Sequence, residues 1–356
     1  MLMMLLLLAA GITLLLLGGQ LLVDGAVVIA RRIGVSTLVI GLTIVAFGTS
    51  APELALNVVA ATNGETGLAF GNVVGSNTAN IGLVIGLSAL VAPLLVSSRI
   101  IRLELPWLMV VTTLFLLLTW LPPGVDDAPG YNRIDGVILV LAVVVLAFHW
   151  YRVGRREEDD PLTQEAAPDA GDAGWLGRSS WLCWIALLVG LGMLVAGGKA
   201  AEVGAIGIAK ALQVDEVLIG LTIVAVATTL PEIATCVIAA RKGQPDLAVG
   251  TVVGSNLFNI VLVMGITSIV HPVPVPETGG WWALGSMLAF TLLLWPLALS
   301  RRNIGRLEGC MLLLLYVVAI GGAVWIESDR PSEPEAAMRT GLDVRSDRQI
   351  VVVDHP

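Results

Sequence analysis

The sequence predicts an all-α membrane protein of ten transmembrane helices, built as two inverted five-helix repeats. Composition, recurring apolar runs and an internal repeat predict this fold. Of the 356 residues, 56% are hydrophobic and 13% charged, about half the charge of an average soluble domain. A helix needs about 20 residues to cross the hydrocarbon core, so ten such runs leave no room for a soluble catalytic domain. We therefore expect that the protein is not an enzyme.

Ten apolar runs, separated by polar residues, give the predicted helices. They span about 2–31, 36–61, 67–92, 104–121, 134–152, 180–211, 215–240, 246–270, 281–300 and 305–326. The first and sixth are longer than a bilayer requires, which indicates tilted helices. No basic region precedes the first run, and its apolar character continues past any plausible cleavage point. We therefore expect a retained helix rather than a signal peptide.

Two polar segments divide the chain. Residues 1–152 are predicted to form the first five-helix repeat, 153–179 a cytoplasmic loop, 180–326 the second, inverted repeat, and 327–356 a disordered polar tail. The loop and the tail carry most of the net charge of −8, and the chain has no basic patch. Nucleic-acid binding is therefore not expected. The three cysteines, which lie singly in apolar runs, are expected to be core residues rather than a disulfide framework.

Basic residues predict the orientation in the membrane. With the N-terminus outside, 13 Lys and Arg residues lie in the inner loops, and only Arg133 and Lys210 lie in the outer loops, leaving out the tail. The positive-inside rule therefore predicts that both termini are outside. We expect a multi-pass protein of the cell inner (plasma) membrane whose surroundings are the lipid bilayer and which functions as a monomer.

The internal repeat is found by shifting the chain by 179 residues. Gly41–Gly86 then aligns with Gly220–Gly265 without a gap, and 27 of the 46 pairs are identical. Five helices separate equivalent points, and because this number is odd, the second copy crosses the membrane in the opposite direction. Inverted repeats are typical of secondary transporters, whose substrate site lies between the repeats near the bilayer midplane. A duplicated structural bundle without transport is the alternative.

Glu53 and Glu232 are the acids placed deepest in apolar sequence, and they occupy equivalent positions in the two copies. A carboxylate is costly in hydrocarbon, so it normally faces a cavity or a partner. Each glutamate follows a proline, Pro52 or Pro231, which removes a backbone donor, bends the helix and frees carbonyl oxygens; Gly48 loosens the first helix further.

Further oxygen-bearing side chains lie at helical spacing from the glutamates or from one another. They are Thr49, Ser50, Ser76, Asn80, Thr228, Thr229, Ser255 and Asn259. Carboxylates combined with neutral oxygens suit hard cations, and the charge of two glutamates equals that of one Ca²⁺ or two Na⁺. Alternatively, the hydroxyls bond back to their own helices, and the asparagines serve as hydrogen-bonding glue between helices.

The motifs GTSAPE with GNVVGSNTAN, and ATTLPE with GTVVGSNLFN, resemble the two alpha-repeats of the sodium/calcium exchanger family, within the cation/calcium antiporters. The resemblance implies that helices two, three, seven and eight enclose the ions, while helices one and six slide across them. It also implies that Glu53 and Glu232 are the central carboxylates, that the eight polar residues named above complete the ligand set, and that the carbonyls of Ala46 and Ala225 bind Na⁺.

Two departures from the family pattern stand in the second repeat. Ala227 and Thr229 replace the usual Gly and Ser, which implies a stiffer break and a slightly smaller site. Asn259 stands where many prokaryotic relatives carry Asp, which removes a titratable oxygen. The expected function is Ca²⁺/Na⁺ antiport that exports Ca²⁺, with H⁺ or K⁺ as alternative counter-ions. A cation channel or ion-sensing membrane protein is the rival from another class, and no cofactor besides the transported ions is expected.

Overall fold

The computed structural model describes residues 1–121, 124–125, 128–158, 180–212, 225–300 and 302–328. Its helices are α1 (Leu2–Ile33), α2 (Thr37–Thr62), α3 (Thr66–Val91), α4 (Ile100–Leu118), α5 (Arg133–Glu158), α6 (Ser180–Ala211), α7 in two pieces (Ala225–Thr228 and Leu230–Arg241), α8 (Pro245–Val270), α9 (Gly280–Leu299) and α10 (Arg306–Ser328). In the described part, nine helices are long and apolar enough to cross a membrane. The protein is therefore an integral membrane protein with many spans, and the all-α membrane fold class is confirmed.

Most helix ends lie within one or two residues of their expected positions, and three differ more. Helix α4 ends at Leu118, three residues before its expected end. Helix α5 continues to Glu158, so residues 153–158, expected in the central loop, are helical; the Arg and Glu residues there are good helix formers. Helix α4 begins at Ile100 in a π-helical turn, four residues early. Residues 159–179 of the expected loop, 215–224 of the expected seventh helix and 329–356 of the expected tail lie outside the described residues.

Two short antiparallel ribbons connect loops at the ends of the bundle. Strand β1 (Leu94–Leu95) pairs with β4 (Asn303–Ile304), and β2 (Gly130–Tyr131) pairs with β3 (Val273–Pro274). Because β1 precedes α4 and β2 follows it, the ribbons lie at opposite ends of that helix. The loops are thus paired as a ten-helix topology requires, whereas the side that faces the cytoplasm stays a prediction.

The helices that carry the repeat motifs are the most enclosed. In the most apolar stretch of α8, 94% of the residues are buried, against 22% in α1. Buried hydroxyl and amide side chains are concentrated in α2, α3, α7 and α8. The centre of this bundle is therefore lined by polar groups, although its outer helices expose large apolar side chains, as expected for a surface that faces lipid.

Helices α1 and α6 pack antiparallel against each other with their backbones in contact. The glycines that line this contact recur every seven residues in each helix: Gly11, Gly18 and Gly25 in α1, and Gly190, Gly197 and Gly204 in α6. A Cβ added at Gly18 would lie 2.8 Å from the Gly190 carbonyl oxygen, and one at Gly197 would lie 2.9 Å from the Gly11 carbonyl oxygen. Small residues at this spacing allow membrane helices to approach closely.

Candidate cation site

The two central glutamates are buried in the middle of the bundle. Glu53 lies in α2 and exposes 2% of its surface, and Glu232 lies in the second piece of α7 and exposes 1%. Among the described residues, Glu53 Oε2 and both carboxyl oxygens of Glu232 have no hydrogen-bond partner. Such a pair is costly as two anions unless a cation lies nearby.

The chain breaks its helix beside Glu232 but not beside Glu53. Thr229 separates the two pieces of α7 with φ −92° and ψ −1°, and Pro231 lies in the first turn of the second piece, where no backbone N–H is needed. Helix α2, by contrast, stays helical through Pro52. The helix is thus interrupted in the second repeat, where Pro231 begins a helix, and continuous in the first, where Pro52 lies inside one. The stiffer break and the slightly smaller site stay predictions.

The irregularity of α2 lies upstream of its proline. Residues Gly41–Val45 form a π-helical turn, and the N–H of Ala46, directly after it, donates to the carbonyl of Gly41. The Ala46 carbonyl in turn accepts a hydrogen bond of 3.3 Å from the Thr49 hydroxyl. The backbone oxygen that the resemblance implies as a Na⁺ ligand therefore lies beside one of the expected hydroxyl ligands. Ala225 and Thr228 begin and end the first piece of α7.

Hydroxyl groups connect the helices around the glutamates. Thr49 Oγ1 lies 3.2 Å from Ser255 Oγ, which joins α2 to α8. Ser50, one residue further, is buried, and its hydroxyl has no hydrogen-bond partner in the described chain. Bonding back to the helix, the alternative for these side chains, is therefore found for Thr49 but not for Ser50. Ser76 is buried in α3, one turn before Asn80.

Two asparagines occupy equivalent places in the two repeats. Asn80 begins a π-helical turn in α3, and Asn259 begins the matching turn in α8. Both side chains are 1% exposed, and within the described part of the chain neither Oδ1 has a hydrogen-bond partner. π-Helical turns inside α-helices are frequent at functional sites.

Buried acceptors without partners are therefore shared among four helices. Among the expected site residues, these acceptors are Ser50 Oγ, Glu53 Oε2, Asn80 Oδ1, Glu232 Oε1, Glu232 Oε2 and Asn259 Oδ1. Native proteins leave few buried polar atoms unpaired, and oxygen ligands of this kind suit hard cations. The described residues contain no group of three or more His, Cys, Asp and Glu that could hold a metal ion. A cation at the two glutamates would need further ligands from neutral oxygens.

Two features of the interior were not found from the sequence. Asn256 joins α8 to α3 through its amide, and its only signal was its place in the repeated VVGSN motif. Glu104 in α4 is as buried as the central glutamates, but it accepts a hydrogen bond of 3.0 Å from Trp150 Nε1 and lies 3.6 Å from Arg99 Nε. Because the Arg99 guanidinium compensates the charge of Glu104, this buried carboxylate differs from Glu53 and Glu232 and is not a candidate cation ligand.

Comparison with known proteins identifies the family. The profile described as sodium/calcium exchanger protein matches residues 3–151 and 182–325. The protein named CaxA from Alkalimonas amylolytica is 38% identical over 299 residues, which cover 83% of this chain and 90% of that protein. The sodium/calcium exchanger MaX1 of Methanosarcina acetivorans is 30% identical over 327 residues, covering 84% and 92%.

A solved structure agrees with these sequence matches. The sodium-calcium exchanger NCX_Mj, soaked with Na⁺ and Sr²⁺, superimposes with a TM-score of 0.75 and 28% sequence identity over 90% of this chain and 98% of that one. The resemblance carried by the repeat motifs is confirmed, since the family profile covers both repeats and nearly all the helices between them. The chain belongs to the sodium/calcium exchanger family.

Proposed function

We propose that this protein is a Ca²⁺/Na⁺ antiporter that exports Ca²⁺ from the cytoplasm by alternating access. The observation that carries the proposal is the set of buried, unpartnered oxygens around two carboxylates, contributed by α2, α3, α7 and α8. Membership of the family, and a relative named as a sodium/calcium exchanger, support Na⁺ as the counter-ion.

The proposed ligands fall into three kinds. Glu53 and Glu232 supply the charge. Neutral side-chain oxygens come from Thr49, Ser50, Ser76, Asn80, Thr228, Thr229, Ser255 and Asn259, and the carbonyls of Ala46 and Ala225 are proposed as Na⁺ ligands. Burial supports this set, since its described side chains are all buried except Thr228, which is partly buried.

Coupling follows from the charge of the site. The two glutamates are neutralised by one Ca²⁺ or by two Na⁺, whereas the empty site would carry two uncompensated negative charges through a low-dielectric passage. Only the loaded carrier is therefore able to change sides, so Ca²⁺ leaves when Na⁺ enters. Protonated glutamates are also neutral, so the same argument allows H⁺, and it allows two K⁺, as counter-ions.

We propose that α1 and α6 move together to alternate access. They pack on each other through their backbones, and the proposed ligands lie on other helices. Where they meet the site helices, the nearest atoms belong to side chains: Gly48 of α2 faces Leu191, and Gly19 of α1 faces Ile238 Cδ1, with the main chain of Ala234 further away. Side chains adjust more easily than backbone, so the pair is able to shift as one body.

The proposed location is the cell inner membrane, with both termini outside and the protein functioning as a monomer. The excess of basic residues in alternate loops supports this orientation. A cysteine placed at Gly243 is expected to resist an impermeant maleimide applied to intact cells, and one placed at Asn63 is expected to react. The opposite labelling pattern would invert the topology.

Ca²⁺ flux in proteoliposomes tests the function. Purified protein is reconstituted, and Ca²⁺ movement is followed under Na⁺, K⁺ or pH gradients that are imposed one at a time. We expect the Na⁺ gradient to drive Ca²⁺ against its own gradient. Ca²⁺ movement that follows only the pH gradient or only the K⁺ gradient would identify H⁺ or K⁺, rather than Na⁺, as the counter-ion. Movement that ignores every counter-gradient would support the channel and contradict antiport.

The site assignment has its own test in the same vesicles. Glu53→Gln and Glu232→Gln each remove one of the two charges, so exchange is expected to fall to background. Glu202→Gln is the matched control, because Glu202 pairs with Lys199 at 2.9 Å in α6, outside the site, and it should keep wild-type flux. Thermal unfolding of each purified variant shows that the fold is retained. Wild-type flux in both site variants would contradict the assignment.

A further inference from the structure

Asn256 is buried in α8, three residues before Asn259, and none of its atoms belongs to the proposed ligand set. Its amide joins the two repeats. Asn256 Nδ2 donates to the main-chain oxygen of Asn77 at 3.2 Å, and Asn256 Oδ1 accepts from Asn80 Nδ2 at 3.0 Å. The side chain is fully buried, so water does not replace either bond.

The chemistry of these three groups fixes the orientation of each amide. A main-chain carbonyl only accepts, so Asn256 must turn its Nδ2 toward Asn77 and its Oδ1 toward Asn80. Asn256 Oδ1 also only accepts, so Asn80 must turn its Nδ2 toward Asn256. A flipped amide at either position would bring two acceptors or two donors together. The backbone of α3 therefore determines, through Asn256, that the Asn80 oxygen is left for another partner.

We propose that Asn256 is a positioning residue that orients the Asn80 amide so that its Oδ1 binds the transported cation. This role rests on the proposed function, because it assumes that Asn80 is a ligand. The absence of a hydrogen-bond partner for Asn80 Oδ1 in the described chain is what the role requires. Asn256 is not itself a proposed ligand; its Oδ1 accepts from Asn80 and its Nδ2 donates to Asn77.

The equivalent residue in the first repeat provides a matched control. Asn77 donates its Nδ2 to the Val73 carbonyl of its own helix at 2.7 Å, and its side chain does not orient Asn80. Asn77→Ala removes this intrahelical bond but keeps the main-chain oxygen that anchors Asn256. A comparison of Asn256→Ala with Asn77→Ala thus separates positioning of Asn80 from loss of a buried amide.

Ca²⁺ binding to purified protein in detergent tests the proposal without any gradient. Asn256→Ala is expected to weaken Ca²⁺ binding roughly tenfold, the size of one well-placed hydrogen bond, and Asn77→Ala is expected to leave it unchanged. In an Asn80→Ala background, Asn256→Ala should cause no further loss, because there is no amide left to orient. Asn256→Leu keeps the number of heavy side-chain atoms and their branching. It takes the place of Asn256→Ala, with the same expected loss, if that variant does not fold.

Two results would overturn the positioning role. The first is an equal loss of affinity from Asn256→Ala with and without Asn80, and the second is a loss from Asn77→Ala as large as that from Asn256→Ala. Wild-type flux is measured separately: a wild type that binds Ca²⁺ but does not exchange it contradicts the proposed function alone. Exchange by the wild type together with additive losses contradicts the positioning role alone.

Discussion

The contact between α1 and α6 makes a quantitative prediction for Gly18→Ala. A Cβ at Gly18 would lie 2.8 Å from both the Gly190 carbonyl oxygen and Met193 Cβ, whereas ordinary contact begins at 3.4 Å. The helices would have to separate by about 0.6 Å, which forfeits a quarter or more of the dispersion energy at this contact. Inserting a methyl group into a packed interface costs about 1–3 kcal/mol.

The intrinsic helix preference of alanine must be removed from this comparison. Gly192→Ala in α6 does so, because Gly192 is exposed and a Cβ there meets no atom within 4 Å. Both substitutions gain the same helix propensity, about 0.8–1.0 kcal/mol. The difference between the two variants is therefore the steric cost alone, and we expect Gly18→Ala to be less stable by about 1–3 kcal/mol.

Unfolding in mixed micelles, with helicity followed as denaturing detergent is added, measures this difference. Ca²⁺ binding should be the same in the two variants, because α1 carries no proposed ligand, whereas the rate of exchange should fall in Gly18→Ala if the helix pair moves as one body. Equal stability of the two variants would refute the close backbone packing. A loss of Ca²⁺ binding in Gly18→Ala that accompanies its loss of exchange would refute the idea that the moving helix pair, α1 and α6, is separate from the ion site.

Two further predictions concern buried polar groups. Trp150→Phe removes the hydrogen bond to Glu104 Oε2. Because a buried acceptor then loses its donor, the free energy of unfolding should fall by about 1–3 kcal/mol in the same assay. The exposed Trp181→Phe is the control, and equal stability of the two variants would contradict the role of this bond. Asn259→Asp adds a third acid to the site, so Ca²⁺ exchange should become more sensitive to inhibition by acid than in wild type. Unchanged dependence of flux on pH would show that Asn259 lies outside the ion path.

Sequence alone was sufficient for most helix ends and for the burial of the two central glutamates. Hydropathy fixes where helices cross a bilayer, because an unpaired backbone cannot lie in hydrocarbon. The 179-residue repeat then selects the polar residues that occupy equivalent positions in the two copies. Glu53 and Glu232 are such a pair, and the structure shows both buried.

Details that depend on tertiary partners were not predictable. Glu104 is as buried as Glu53, yet its role differs because Trp150 of α5 donates to it and Arg99, at the start of its own helix, pairs with it. The same holds for Asn256, whose type in a membrane helix predicts hydrogen bonding but not the partner. The π-helical turns at Asn80 and Asn259 are shifts of backbone register, which residue type does not specify.

The two copies of the VVGSN motif are identical in sequence but not in hydrogen bonding. Asn256 crosses between the repeats to Asn80, whereas Asn77 bonds within its own helix and does not reach Asn259. Since the same residues make different bonds, this asymmetry belongs to the conformation. Inverted repeats generate two opposite-facing states when the halves exchange conformations, so the Asn256–Asn80 bond is expected to be absent from the opposite-facing state. A structure of that state in which Asn256 still holds Asn80 would show instead that residues outside the motif fix the asymmetry.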